Sequence, residues 1–229
     1  MTRLAKLIAP AGLILAVTAA LPAQAQVEGR IATVDISRTI IGTTAFQTAY
    51  EQVNTTYSQQ NELRRTKAQE RQTLLAQFDK NGDKQVDDTE QQAMQKSPDF
   101  PKLQTLEQEI QALSNQIDSA RVFAIEQIIM QYPAALQDVT TKQQIKIVIE
   151  PNSLLFAPPE ADITQQVTAA LNTKVPAVGV VPPSGWQPSR EGVQIFQEIQ
   201  QRLAIAAQMA QQQQAAAAQQ GNPAAPVGR

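Results

Sequence analysis

Residues 79 to 90 hold the densest group of side chains in this sequence that could do chemistry. Counted along this segment, oxygen-bearing side chains stand at positions 1, 3, 5, 9 and 12, and position 7 can offer its backbone carbonyl. In chain order these candidate ligands are Asp79, Asn81, Asp83, Gln85, Asp87 and Glu90. Carboxylate, amide and carbonyl oxygens are the ligands that a hard cation such as Ca²⁺ prefers. The spacing therefore predicts a calcium loop.

This segment resembles the calcium loop of EF-hand proteins, in which the last acid binds the ion through both oxygens. It departs from that pattern at position 6, where a sharp turn favours glycine and this chain has Lys84. The sequence contains no partner loop, so we expect an isolated and weak site. The alternative is an acidic, solvated turn that binds no ion, and the sequence leaves both interpretations open.

The residue types that most enzymes use for catalysis are scarce in this sequence. The chain has no histidine and no cysteine, which removes the commonest general base, the thiolate nucleophile and the usual soft metal ligands. The acidic residues lie in this loop or in polar helical patterns, and an apolar pocket around a pair of them is not predicted. We therefore expect no enzymatic activity and no required cofactor, with calcium as the one candidate ion. Nucleic acid is not an expected partner, because no basic stripe is interleaved with aromatic residues.

Two long helices are predicted to position the loop. On its C-terminal side, apolar residues recur at spacings of three and four, the pattern of a coiled-coil seam; they are Leu103, Leu106, Ile110, Leu113, Ile117, Ala120 and Ala124. On its N-terminal side, a matching stripe consists of Phe46, Tyr50, Val53 and Tyr57. These stripes predict a long antiparallel helical hairpin with arms over residues 37–143 and a tip loop at 79–90.

The first arm is predicted to be one helix over residues 37–78, with Ser37 as its N-cap. Residues 58–73 offer only Leu63 and Ala68 as apolar side chains, so most of this arm should be solvated. The second arm should start near Asp88 and be interrupted at residues 97–101, because two prolines there disrupt helical hydrogen bonding.

A small β-rich body is predicted at the base of the hairpin, from residues 28–36 and 144–172. Residues 30–35 and 145–150 alternate in hydrophobicity and read as strands, and residues 154–156 suit a third short strand. Asp162 is the predicted N-cap of a helix that places Ile163, Val167 and Leu171 on one face. The fold class is therefore α+β and mainly α, with residues 26–172 as its principal domain.

The C-terminal extension has a different composition. Residues 173–190 are rich in proline and predict an extended linker, which Trp186 could clamp onto the body. Residues 191–229 predict a helix followed by a low-complexity, disordered tail. The apolar face of that helix is predicted to consist of Val193, Phe196, Ile199, Leu203 and Ala206.

The N-terminus indicates export. Residues 1–25 read as a signal peptide, in which Arg3 and Lys6 precede an uncharged apolar stretch and a cleavage site near Ala25. Without Arg3 and Lys6, the 19 basic residues fall to 17 against 21 acidic residues, a formal net charge of about −4. Because only one Trp, three Tyr and six Phe are available and no disulfide can form, we expect oligomerisation to supply additional burial.

The order of these parts resembles the Skp/OmpH family of periplasmic chaperones over about residues 28–172. The best markers are the opening strand with Val34, Asp35 and Arg38, and the ADIT segment at residues 161–164. The resemblance implies a homotrimer whose helical arms enclose a cavity. It also implies that this cavity holds unfolded outer-membrane β-barrel proteins without ATP, in the periplasm.

Three features lie outside that resemblance: the acidic net charge, the calcium-type loop and residues 173–229. Two rival functions remain open from the sequence. One is an exported calcium-binding protein whose hairpin responds to the ion, and the other is a coiled-coil adaptor that spaces envelope components. For any of these we also expect transient contact with a membrane surface.

Overall fold

The structure, a computed structural model, describes residues 29–83 and 85–220, with side chains given as far as residue 216. The predicted signal peptide, Lys84 and the last nine residues lie outside the described residues. The elements, in chain order, are β1 (Arg30–Thr33), α1 (Ile36–Ile41), α2 (Thr44–Thr56), α3 (Ser58–Ala76), α4 (Asp88–Gln95), α5 (Phe100–Ile129), α6 (Tyr132–Lys142), β2 (Ile145–Ile149), α7 (Thr164–Lys174) and α8 (Arg190–Gln220). The fold of the described residues is mostly helical with one small sheet, as predicted.

The two predicted main strands form and pair with each other. β1 and β2 are parallel, with Arg30 opposite Ile145 and Thr33 opposite Ile149. The predicted third strand at residues 154–156 is wrong: a short 3₁₀ helix at Pro151–Ser153 precedes it, and Leu155 and Phe156 lie on the surface. Prolines bracket this segment and cannot donate to a sheet ladder, which explains why its apolar residues do not pair.

The first arm is not a single helix beginning at Ser37. Asp35 is the N-cap of α1, because its side chain accepts a hydrogen bond from the Arg38 backbone N–H, and Ser37 lies buried inside the helix. α1 ends at Ile41, and Thr43 caps α2 by accepting from the Phe46 N–H. Only Tyr57 separates α2 from α3, and it still donates to Val53 and accepts from Asn61 as a helical residue would.

The second arm follows the prediction. α4 begins at Asp88, and the helix is interrupted between Gln95 and Phe100, a stretch that contains Pro98. α5 then runs without a break for 30 residues, with Pro101 in its first turn, where a missing N–H costs nothing.

The main core lies in the body. It is formed by the sheet, α1, the first turn of α2, the last turns of α5, and α6, α7 and α8, and its fully buried side chains include Ile40, Ile125, Ile128, Ile163, Val167, Leu171 and Ile199. The predicted face of α7 is therefore confirmed. Its predicted cap is only partly right, because Asp162 accepts from the Thr164 N–H while Ile163 is the residue that flanks the helix.

The C-terminal extension is part of this core rather than a separate unit. Val175, Ile195 and Ile199 are buried in the same cluster as the body, whereas Ala206 of the predicted face is exposed. The prediction of disorder after residue 208 is wrong as far as the structure describes the chain, because α8 continues to Gln220. Alanine and glutamine are good helix formers, so this segment needs no packing partner to favour a helix. Among the described residues, no helix is long and apolar enough to cross a membrane.

Candidate functional site: the helical arms and their tip

The side chains of the seam between the arms are buried at its two ends. Near the body, a cluster of buried residues joins α2 to α5; it contains Ala49, Val53, Tyr57, Ile117, Ala120 and Ala124, and we call it the base cluster. Near the tip, Leu74 of α3 packs against Leu103 and Leu106 of α5. The predicted stripes of both arms are confirmed at these places, because the helices carry their apolar positions toward each other.

The middle of the seam is incompletely covered. Ile110 and Leu113 stand at heptad positions but are only partly buried, and Leu63 on the opposite arm is 47% exposed. Beside Ile110, a groove of about 630 Å³ is lined mainly by polar side chains of α3, together with Ala68. This arrangement leaves aliphatic surface accessible along a helix pair that is otherwise polar.

Ion pairs tie the outer halves of the arms together. Arg71 of α3 reaches Glu107 of α5 at 3.1 Å, and Lys102 of α5 reaches Glu70 of α3 at 2.7 Å. The hydrogen bond and the charge of Lys102 hold the pKa of Glu70 below its ordinary value, and those of Glu70 raise the pKa of Lys102. Because both side chains are solvated, these pairs fix the register of the arms more than they stabilise them.

The tip loop is built from hydrogen bonds between its own side chains and backbone. Asp79 accepts from the Gly82 N–H, Asn81 accepts from the Asp83 N–H, and Asp83 accepts from the Gln85 N–H. Gly82 has φ of +77°, a conformation that glycine adopts without strain. The predicted ligand residues are therefore gathered in one loop, and their oxygens face its backbone N–H groups.

Glu90 closes this loop. Its side chain is buried and accepts from the Lys80 N–H through Oε1 and from the Asp87 N–H through Oε2. Asp87 in turn accepts from the N–H groups of Thr89 and Glu90, so the two residues form a capping box at the start of α4. This role of Glu90 and Asp87 follows from the spacing of an acid three residues after the cap, a signal that the sequence carries.

The arrangement does not show a metal centre. Within the described residues, no three acidic side chains are placed so that they could hold one ion together. The oxygens of Asn81, Asp83 and Glu90 are already engaged as acceptors, so calcium would have to compete with backbone donors. Calcium binding at the tip therefore stays a prediction.

Two sequence markers meet in the body. The Asp35 backbone N–H donates to Oγ1 of Thr164, and the Arg38 guanidinium lies 3.3 Å from the Asp162 carboxylate. Burial would raise the pKa of Asp162, but hydrogen bonds from Thr164 and the charge and hydrogen bond of Arg38 lower it overall. The network joins the end of β1 to the start of α7, which fixes the base from which the arms project.

Several contacts of the C-terminal extension were missed from the sequence. The side chain of Gln127 hydrogen-bonds to the backbone of Gly179, and Glu126 accepts from the Ser189 N–H at 2.6 Å. Trp186 packs edge-on against Phe123 with ring centroids 5.4 Å apart, which confirms that it clamps the proline-rich segment. The periodicity of α5 gives no signal for Gln127 and Glu126, because both are polar residues outside its apolar stripe.

The chain is similar to known proteins of one family. The family model described as outer membrane protein (OmpH-like) matches residues 30–171. A crystal structure described as an outer membrane chaperone (OmpH-like) from Caulobacter crescentus CB15 is similar at 16% identity, with a TM-score of 0.37, covering 68% of this chain and 92% of that chain. No curated protein matches the sequence.

Proposed function

The chain belongs to the OmpH-like family of outer-membrane chaperones, and from that premise we propose that it is a periplasmic holdase, independent of ATP, for unfolded β-barrel precursors. The observation that supports this proposal is the pair of arms, α2–α3 and α4–α5. They project a long polar surface whose apolar seam is only partly sealed. A holdase needs such a surface, because it must cover apolar segments of a client without folding around them.

The incompletely buried aliphatic residues in the middle of the seam determine how strongly a client is bound. Covering one exposed aliphatic side chain contributes at most about 1.5–3 kcal/mol. Ile110, Leu113 and Leu63 are partly buried by the arms already, so each adds less than this. Several such contacts together retain a client, and each can break rapidly, which permits release without nucleotide.

We also propose that the protein works as a homotrimer whose arms enclose the client. The two-stranded sheet is too small for an independent fold unit, and within the described residues β2 has a neighbour on one edge only. The body exposes Ile31 at 55%, Leu155 at 108% and Phe156 at 83%. Large apolar side chains so exposed are typical of a surface that another subunit covers.

Native mass spectrometry tests both proposals. Residues 26–229 are mixed with a urea-unfolded β-barrel precursor, diluted without nucleotide, and the masses of the species are recorded. We expect a trimer alone and a complex of one trimer with the precursor. A monomer at every concentration would contradict the trimer, and a trimer that never acquires the precursor would contradict the holdase function.

A pair of variants tests the proposed interface. Phe156→Ser removes an exposed aromatic residue of the body and should convert the trimer to monomers. Met209→Ser alters an exposed apolar residue of α8, 56% exposed, and should leave the trimer intact. Equal effects of the two substitutions would contradict an interface at Phe156.

A further inference from the structure

Residues 176–189 form an extended segment, which we call the strap, that joins α7 to α8 and lies on α2 and α5. The side chain of Gln127 pairs with both backbone groups of Gly179. Its Nε2 donates to the Gly179 carbonyl at 2.9 Å, and its Oε1 accepts from the Gly179 N–H at 3.0 Å. This contact resembles the pairing that a neighbouring strand would offer, and it recognises the backbone rather than a particular side chain.

The strap also places side chains between the two helices. Val180 is 8% exposed and packs in the base cluster, and its carbonyl accepts a hydrogen bond from the Tyr57 hydroxyl at 3.3 Å. Val178 packs against both the base cluster and the main core. Gly179 is exposed and Val181 is 64% exposed. Inward and outward residues therefore alternate over residues 178–181 with the period of a β-strand.

Few contacts hold the strap. It has no regular secondary structure, and most of its residues other than Val178 and Val180 are exposed. Beyond the two contacts already described, Trp186 packs against Phe123, and Glu126 accepts from the Ser189 N–H. Segments with so few buried contacts open locally at a small fraction of the free energy of global unfolding.

We propose that the groove between α2 and α5, which contains Gln127 and Tyr57, binds extended apolar segments of unfolded clients, and that the strap is its intramolecular occupant. The inference rests on the proposed holdase function and assigns a site to it. Strands of β-barrel proteins alternate apolar and polar residues with the same period of two as the strap. A site that hydrogen-bonds to backbone groups and buries an apolar residue at every second position can bind many such strands, whatever their exact sequence.

The strap therefore competes with clients for the groove. The apparent affinity for a client segment is the intrinsic affinity reduced by the fraction of molecules with an open groove. This competition would favour clients that present several segments at once, since only they can displace the strap and also bind the arms.

A labelled peptide with the sequence of one membrane-spanning strand of a β-barrel precursor, with apolar and polar residues alternating, serves as the probe, and its fluorescence anisotropy is measured with the full mature chain. Replacing both valines, V178S with V180S, weakens the strap but leaves Gln127 and Tyr57 in place. We expect this variant to bind the peptide about tenfold more tightly than the parent protein, because more grooves are open. Val181→Ser, at an exposed strap position, is the matched control and should leave the affinity unchanged.

The substitution Q127A should have the opposite effect on peptide affinity. Added to the double valine variant, it should reduce peptide affinity about tenfold, because two hydrogen bonds to the peptide backbone are lost. Tyr57→Phe, which deletes only a hydroxyl group, should reduce it by a smaller factor. Thermal unfolding of each variant establishes that it is folded under the assay conditions.

The outcomes separate the alternatives. A strap that is only structural would give no peptide binding in any folded variant, which would overturn the inference. If unlabelled parent protein, which carries the intact strap, binds the double valine variant while the client peptide does not, a second copy inserts its strap, and this too would contradict a client groove. If the parent protein holds precursors but no folded variant binds the peptide, the groove is wrong and the holdase function stands.

Discussion

Arg202 of α8 lies 2.8 Å from the carboxylate of Asp35, the residue that caps α1. Asp35 is 9% exposed. One oxygen of its carboxylate accepts a hydrogen bond from the Arg38 N–H, and the other pairs with the Arg202 guanidinium, so both oxygens of this nearly buried charge have a partner. Asp35 lies within the region that matches the family model, and Arg202 lies beyond its end at residue 171. The C-terminal extension therefore completes the electrostatics of the body.

Removing Arg202 should destabilise the body. In Arg202→Met, one oxygen of the nearly buried Asp35 carboxylate loses its charged partner, and we expect a loss of about 1–3 kcal/mol in the free energy of unfolding. Glu198→Gln is the matched control, because Glu198 also contacts Arg202 but does not touch Asp35 in the structure. Urea unfolding curves measure both. Equal stability of the two variants would show that Asp35 does not depend on Arg202.

Two isoleucines of the seam should separate stability from client holding. Ile117 is 1% exposed in the base cluster, so Ile117→Ala should cost about 2–5 kcal/mol of stability. Ile110 is only partly buried, so Ile110→Ala should cost less stability than Ile117→Ala and should instead weaken retention of a precursor. Denaturant unfolding and the off-rate of a labelled precursor give the two readouts. A reversed order of stabilities would contradict the description of the seam.

The body should lose stability in strong base. Burial raises the pKa of Tyr50 to about 12, against the effect of nearby Arg121 and a hydrogen bond from Gln200, and burial with the carboxylates of Asp35 and Glu150 raises that of Tyr132 to about 12. The unfolded chain releases these protons near its ordinary pKa of about 10. The stabilisation is therefore fully present below pH 10 and is lost as pH rises from about 10 to 12.

Replacing Tyr50 tests that pH dependence. Tyr50→Phe should flatten the fall in stability between pH 10 and 12, since one titrating group is removed. Tyr132→Phe should do the same, and the double variant should flatten it further. Thermal melts at intervals of pH measure the slope. An unchanged slope in the double variant would contradict the burial of both hydroxyl groups.

Local sequence patterns predicted the helices of the arms, but not the tertiary contacts that decide where the first helix begins and which strands pair. The seam from Leu103 to Ala124 could be predicted from the sequence, because a helix that packs against one partner buries a single stripe of apolar residues. Ser37 and Asp35 are both good N-caps, and the burial of Ser37 in the core, which decides between them, is a tertiary fact. Residues 154–156 have strand-forming side chains but no neighbour to pair with.

The same limit applies to the candidate sites. The spacing from Asp79 to Glu90 indicated a loop, but which donors its oxygens meet depends on the closed geometry of the tip. Gln127 and Gly179 are 52 residues apart, and Tyr57 and Val180 are 123 apart. No periodicity within a single helix could relate these residues.

Calcium at the tip can be tested without breaking the capping box. Asp83→Asn keeps an oxygen that can accept from the Gln85 N–H but removes one negative charge, so it should abolish any calcium heat while α4 stays capped. If the loop binds the ion, calorimetry of the parent protein should give a dissociation constant of about 10⁻⁴–10⁻³ M. Absence of heat at millimolar calcium would make the tip an acidic turn.

Holding without nucleotide is tested most directly by light scattering. A urea-unfolded β-barrel precursor is diluted into buffer with or without a molar excess of residues 26–229, and turbidity is followed in the absence of ATP. We expect the protein to suppress turbidity and the Ile110→Ala variant to suppress it less. Turbidity that is the same with and without the protein would contradict the holdase function.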